Sequence, residues 1–313
     1  RVLVLGDESV FGSAIPDDRT LTVWLQKQLQ KHSHQQVEVI NGGLPGSCPL
    51  LAWLHYEHQL RDLQPDLVIL HFDMSDVADD AAYRRYLVLN DKSDGPPASN
   101  PDALNPSTTP AAADRTHVLH PSLSTDGPRC IHPLISCRQQ ETATPMKSLC
   151  RYAVARWLIS KARSFAEEDA SISRRAATEQ TPLAWIADSP PDLRIQVRHA
   201  LDPIDRLRKA VEDDGGRLIV STAPVLWQLV SADEAPQLSE DLQIEGVTPY
   251  TRTLPFDVLR QYCDYIHVPF LDVTPAFRES ELGAKLFSRT APVLSEYGTV
   301  LYARELAGFA QRL

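Results

Sequence analysis

The stretch Leu67-Val68-Ile69-Leu70 is apolar at every position and is introduced by Pro65-Asp66. A strand with one solvated face alternates apolar and polar residues, so an unbroken run marks a strand covered on both faces, in the middle of a parallel sheet. Parallel neighbours need crossover connections, and the chain supplies them. Val2-Leu3-Val4-Leu5 and the run from Val37 to Ile40 are two further strand-like segments. Between the runs lie stretches of helical period, with Leu21, Trp24, Leu25 and Leu29 on one face from about Thr20 onward, then Leu50, Trp53, Leu54 and Leu60. This alternation predicts an α/β fold with a doubly wound parallel sheet in three layers.

From Asn90 to Pro145 the texture changes: nine of the 24 prolines fall there, with many Ser, Thr, Asp and Asn and no sustained period. Residues 90–145 are therefore expected to be a proline-rich insertion loop or lid. Helical pattern returns at Val154, Leu158, Ala162 and Phe165, and again at Leu201, Ile204, Leu207 and Val211 before Gly215-Gly216. Leu218 to Ser221 and His267 to Leu271 are the next candidate strands, and a last helix places Val300, Ala303, Leu306, Ala310 and Leu313 on one face. The order reads as a single sheet domain over 1–313 carrying one excursion.

Charge narrows the partners. Against 31 basic residues stand 41 acidic ones, a net of −10, which argues against a face for nucleic acid. No run approaches the roughly 18 consecutive apolar residues of a membrane span. The five cysteines (Cys48, Cys130, Cys137, Cys150, Cys263) are odd in number and unevenly spaced, so they fix no compartment. Cys130, His132 and Cys137 lack the paired spacing of a zinc site and read as a solvated loop or a local disulfide.

Ligands of an open parallel sheet bind beyond the carboxyl ends of its strands. Here those ends read Gly6-Asp7-Glu8-Ser9-Val10-Phe11-Gly12, Asn41-Gly42-Gly43-Leu44-Pro45-Gly46 and His71-Phe72-Asp73-Met74-Ser75-Asp76. In this order the blocks resemble the SGNH (GDSL) hydrolase family, as do Pro45-Gly46 after Val39-Ile40-Asn41, the approach Pro65-Asp66 to the third strand, and Glu296-Tyr297-Gly298 before the last helix. The resemblance implies a flavodoxin-like fold and ester hydrolysis, with a small acyl or carbohydrate group as ligand and no cofactor.

At the catalytic positions the chain departs from the family's pattern. Glu8 stands at the position of the nucleophilic serine, with Ser9 one place late. Asp73 replaces the glycine of the third block, and Ser75 replaces its oxyanion-hole asparagine; Gly46 keeps an oxyanion-hole position. Counting back from Gly298, the histidine position falls on Val293 and the acid on Thr290 or Ala291, and no histidine follows His267. A serine hydroxyl needs an adjacent base, and the base needs an orienting group. The expectation is therefore a site that has lost its reaction.

Three other readings stay open on the residues alone. Ser9 serves as nucleophile with His71 as base; or Asp7, Glu8, Asp73 and Asp76 converge on a hard divalent cation that relieves their repulsion; or Glu8 itself acts as nucleophile or general acid. Elsewhere, His32 and His34 read as a solvated turn, and His55 and His58 fail the His-Glu-x-x-His spacing of a metalloprotease. Trp227 reads as packing. Arg84 and Arg85 are expected to pair with Asp79 and Asp80 or to face an anion. Oligomeric state and compartment are not encoded in any of these features.

Overall fold

In the computed structural model, which describes residues 1–84, 87–91, 119–123, 184–186, 192–231, 233–241, 253–288 and 293–313, the all-apolar run is central. It forms β3 (Leu67–Phe72), buried at every position after Leu67. β1 (Val2–Leu5) pairs with one side of it in parallel, Leu5 beside Leu70, and β6 (Arg217–Thr222) pairs with the other, Phe72 beside Thr222. β2 (Val39–Asn41) and β7 (Phe270–Asp272) complete a five-stranded sheet in the order β2-β1-β3-β6-β7. That is the flavodoxin-like order.

The chain steps from β1 out to β2 and then returns past β1 to β3. With right-handed crossovers, this reversal sends the connecting helices to opposite faces of the sheet. α2 (Leu21–His32), between β1 and β2, packs against α9 (Glu296–Ala310). α3 (Pro49–His55), α4 (Asp76–Arg84) and α5 (Arg194–Asp213) pack together as the other layer. The expected three layers are thus present, with Leu3, Leu5, Ile69, Leu70 and Trp227 among the fully buried side chains. Among the described residues the other α-helices are α1 (Glu8–Phe11), α6 (Ala235–Asp241), α7 (Leu254–Tyr265) and α8 (Thr274–Glu279).

Boundaries differ from the sequence reading for local reasons. β2 begins at Val39 rather than Val37, because the Val37 amide donates to Gln30 Oε1 of α2 at 2.9 Å. β7 begins at Phe270 rather than His267, because His267 takes a left-handed φ of 58° and closes α7. There the Val268 amide donates to the Cys263 carbonyl at 2.8 Å and the His267 amide to the Asp264 carbonyl at 3.2 Å. These are the two bonds of a Schellman motif. α9 ends at Ala310, leaving Leu313 exposed beyond it.

The chain divides into two compact units, Arg1–Arg84 with Phe165–Leu313, and Arg85–Ser164. Within the second, β4 (Leu87–Asp91) and β5 (Leu119–Leu123) pair antiparallel, Leu89 opposite Pro121. The stretch read as loop therefore contains a strand, one that its proline conceals because proline has no N–H to give a ladder. The rest of the insertion, the helix expected from Val154 to Phe165, and Cys130, His132, Cys137 and Cys150 lie outside the described residues. Among the described residues, no helix is long and apolar enough to cross a membrane.

Candidate functional site

β1 and β3 are neighbours whose onward connections diverge, and a doubly wound sheet opens a crevice at such a point. The first and third sequence blocks meet there. Asp7 caps α1, its Oδ1 accepting from the Ser9 amide at 3.2 Å, and it is almost fully buried. The second block is drawn in by backbone bonds: the Gly42 amide donates to the Val4 carbonyl and the Leu44 amide to the Gly6 carbonyl, both at 2.8 Å. Asn41 ties the same loop to α1, with Nδ2 donating to the Val10 carbonyl at 3.0 Å and Oδ1 accepting from the Gly43 amide at 2.9 Å.

This scaffolding brings Gly46 to Glu8. Gly46 has φ 66°, a left-handed turn that side chains disfavour, and its amide donates to Glu8 Oε1 at 3.1 Å. The Glu8 carboxyl thus takes the Gly46 N–H.

In the third block Asp73 is fixed by its neighbours. Its amide donates to Asp76 Oδ2 at 3.0 Å, and its Oδ1 accepts from the Ser75 amide at 2.9 Å. Ser75 Oγ donates to Asp79 Oδ2 at 2.8 Å. Asp73 Oδ2 lies 3.9 Å from Nε2 of His71, which is buried near the end of β3. His71 Nδ1 is 2.7 Å from the Tyr302 hydroxyl of α9, and that hydroxyl is 2.6 Å from Ser221 Oγ of β6.

The carboxyls respond differently to this crowding. Burial, then the charges of Asp73 and Glu8, push Asp7 well above the usual carboxylate range. Burial also pushes Asp76 well up, reinforced by Asp7 and Asp73. Burial opposes ionisation of Asp73 too, but His71 and the Ser75 donors outweigh it and hold this carboxyl low. The site separates one ionised carboxylate from two that resist ionisation.

The expected convergence of Asp7, Glu8, Asp73 and Asp76 takes another form. Among the described residues, the acidic or imidazole ligand atoms within 4.8 Å of one another belong to Asp7, His71 and Asp73. Glu8 is turned to Gly46, and Asp76 to the Asp73 amide, because each has a backbone donor at hand. No hydrogen bond joins Ser9 to His71 among the described residues, and His71 is engaged with Tyr302 instead. Val293 sits in the turn before α9, its carbonyl accepting from the Ser288 amide at 2.8 Å, while Thr290 lies outside the described residues.

Away from the crevice, Arg84 makes a two-bond pair with buried Asp80 at 2.8 and 2.9 Å, and Arg85 lies outside the described residues. Cys48 and Cys263 are buried free thiols, with Cys263 pushed up to about 12 by burial and Asp264. A groove of 1120 Å³ between α2, α8 and α9, lined by Trp24, Ala276, Tyr297 and Arg304, carries none of the predicted site residues.

Tyr302 and Ser221 escaped the sequence reading. The signal, a phenol among the apolar residues of the last helix and a serine at the end of a buried strand, is shared by many packed side chains.

No family model and no curated protein matches the sequence. Among solved structures, a G-D-S-L family protein from Desulfitobacterium hafniense DCB-2 is 10% identical, covering 98% of each chain with a TM-score of 0.43. The lipase/acylhydrolase from Enterococcus faecalis is 12% identical over 98% of this chain and 96% of its own, TM-score 0.43. An acetyl xylan esterase is 10% identical over 98% of each chain, TM-score 0.46. The α/β class follows from strand order and register by themselves.

Proposed function

We propose that this chain is an SGNH-hydrolase-like protein that does not hydrolyse esters and instead uses the strand-end crevice to bind a small acyl or carbohydrate ligand. The observation that carries the reading is the hydrogen bond from the Gly46 amide to Glu8 Oε1 at 3.1 Å. Acyl transfer needs donors aimed at an oxygen that gains negative charge in the transition state, and one such donor is worth a factor of about 10²–10³ in rate. A carboxylate seated on that donor both occupies it and repels the developing charge. A serine nucleophile needs a hydrogen-bonded base, and among the described residues Ser9 has no hydrogen bond to His71.

The test is hydrolysis of a short-chain aryl acetate by the purified protein beside Ser9→Ala and buffer alone, followed by calorimetric titration with acetylated xylo-oligosaccharides. Background rates in both proteins together with saturable binding support the reading. Turnover that disappears in Ser9→Ala would show instead that the displaced serine is a working nucleophile.

A further inference from the structure

We propose that Asp7, His71 and Asp73 form a binding site for one divalent cation of the zinc or manganese type. The inference goes beyond the ligand-binding reading and does not depend on it. Nearby carboxyls alone do not make a metal site; the second observation is the imidazole. His71 is 2% exposed, and its Nε2 has no hydrogen-bond partner although it points at the acidic pair. Such an orphaned buried nitrogen requires an explanation.

Neither tautomer supplies one. With the proton on Nδ1, that nitrogen donates to the Tyr302 hydroxyl, which passes its own hydrogen to Ser221 Oγ. Nε2 then presents a bare lone pair to Asp73 and Asp7. With a proton on Nε2, in the other tautomer or in the imidazolium, Asp73 Oδ2 is 3.9 Å away, an ion-pair distance but beyond hydrogen-bond reach. A cation among the three groups satisfies the lone pair and both carboxyls at once.

The dimensions and the surroundings agree. The His71–Asp73 separation of 3.9 Å falls in the span of about 3.4–4.2 Å between ligands held by bonds of about 2.1 Å, and Asp7, with a ligand atom within 4.8 Å of both, needs at most about 0.6 Å of adjustment to join them. Nδ1 is held by Tyr302, the outer-shell contact by which a metal-binding histidine has its ring oriented. The donor set favours zinc or manganese, because magnesium and calcium prefer oxygen ligands alone. The Asp73 side chain, 21% exposed, gives the route from solvent.

The full chain, stripped with a chelator and dialysed, is titrated calorimetrically with Zn²⁺ and separately with Mg²⁺, beside His71→Gln and Asp73→Asn. The proposal expects one Zn²⁺ per chain, no comparable Mg²⁺ isotherm, and at least a tenfold weaker affinity in each variant, as loss of a metal ligand entails. The melting temperature of the parent rises with zinc concentration, and that of the variants does not. Far-UV circular dichroism establishes that the variants fold; if one does not, Asp7→Asn replaces it. No stoichiometric zinc on the parent, as when the cluster holds only protons, overturns the proposal. Zinc bound equally well by folded variants overturns it too, since the ion then sits elsewhere.

Discussion

Glu8 Oε1 lies 3.1 Å from the amide nitrogen of Gly46, so a side chain of the first sequence block occupies a backbone donor of the second. Placing a hydroxyl at residue 8 frees the Gly46 donor without supplying a base. Glu8→Ser is therefore expected to stay within about tenfold of the background rate of the parent, because the change brings no general-base assistance, worth roughly 10²–10⁴. Aryl acetate hydrolysis measures this. A larger gain, abolished by adding His71→Gln, would identify His71 as a serviceable base.

Arg84 and Asp80 form a pair in which the carboxylate is fully buried and the guanidinium a quarter exposed. Arg84→Ala leaves Asp80 inside without its partner, at a cost of about 3 kcal/mol at neutral pH in urea unfolding. Burial raises the Asp80 carboxyl above its usual value even with Arg84 and His199 attracting it, and Asp202 adds repulsion. A carboxyl raised in the folded state binds its proton more tightly folded than unfolded, so the cost is smallest at low pH and grows as pH rises through the folded value. Unfolding curves of Arg84→Ala at acid and neutral pH should show this; Asp80→Asn in the same background should remove most of the pH dependence.

Tyr302 joins His71 and Ser221 through one hydroxyl. Tyr302→Phe keeps the ring packing and strands both partners, so it should cost about 1–3 kcal/mol. Adding Ser221→Ala should cost less than the sum of the two single changes, since the bond it removes is already gone. A double-mutant cycle by chemical denaturation measures the coupling.

The start of α9 depends on close approach. A β-carbon at Gly298 would lie 2.1 Å from the Leu286 carbonyl oxygen, and Ser295 Oγ caps the helix by accepting from the Gly298 amide. Gly298→Ala is expected to destabilise by about 1–3 kcal/mol through overpacking. Ser295→Ala should lose about 1 kcal/mol with the cap. Thermal unfolding of the two variants gives the order of the effects.

What the sequence disclosed follows from what periodicity measures. The run from Leu67 to Leu70 announces a strand buried on both faces, and Leu21, Leu25 and Leu29 announce a helix face, because burial repeats with the geometry of the element. The strand-end blocks pointed to one edge of the sheet, where Gly46 meets Glu8 and Asp7 lies near Asp73. The orientation of the side chains was not legible. Glu8 and Asp76 looked like members of a carboxylate cluster, yet each accepts from a backbone amide, of Gly46 and of Asp73, a choice that composition does not carry. His71 and Tyr302 are 231 positions apart, so neither has a local pattern that names the other.

The partnership of Phe72 with Thr222 spans 150 positions of chain. Strands β1, β2 and β3 come off the ribosome early and can zip together, but the far edge of β3 stays unpaired until β6 has been made and carried round. Closing so long a loop costs little more than closing a shorter one, about 0.6 kcal/mol per doubling of length, so the delay is one of time rather than of final stability. During that interval a strand destined for burial at five of its six positions shows a bare ladder of amides and carbonyls. The nascent chain is then most exposed to pairing with a stranger.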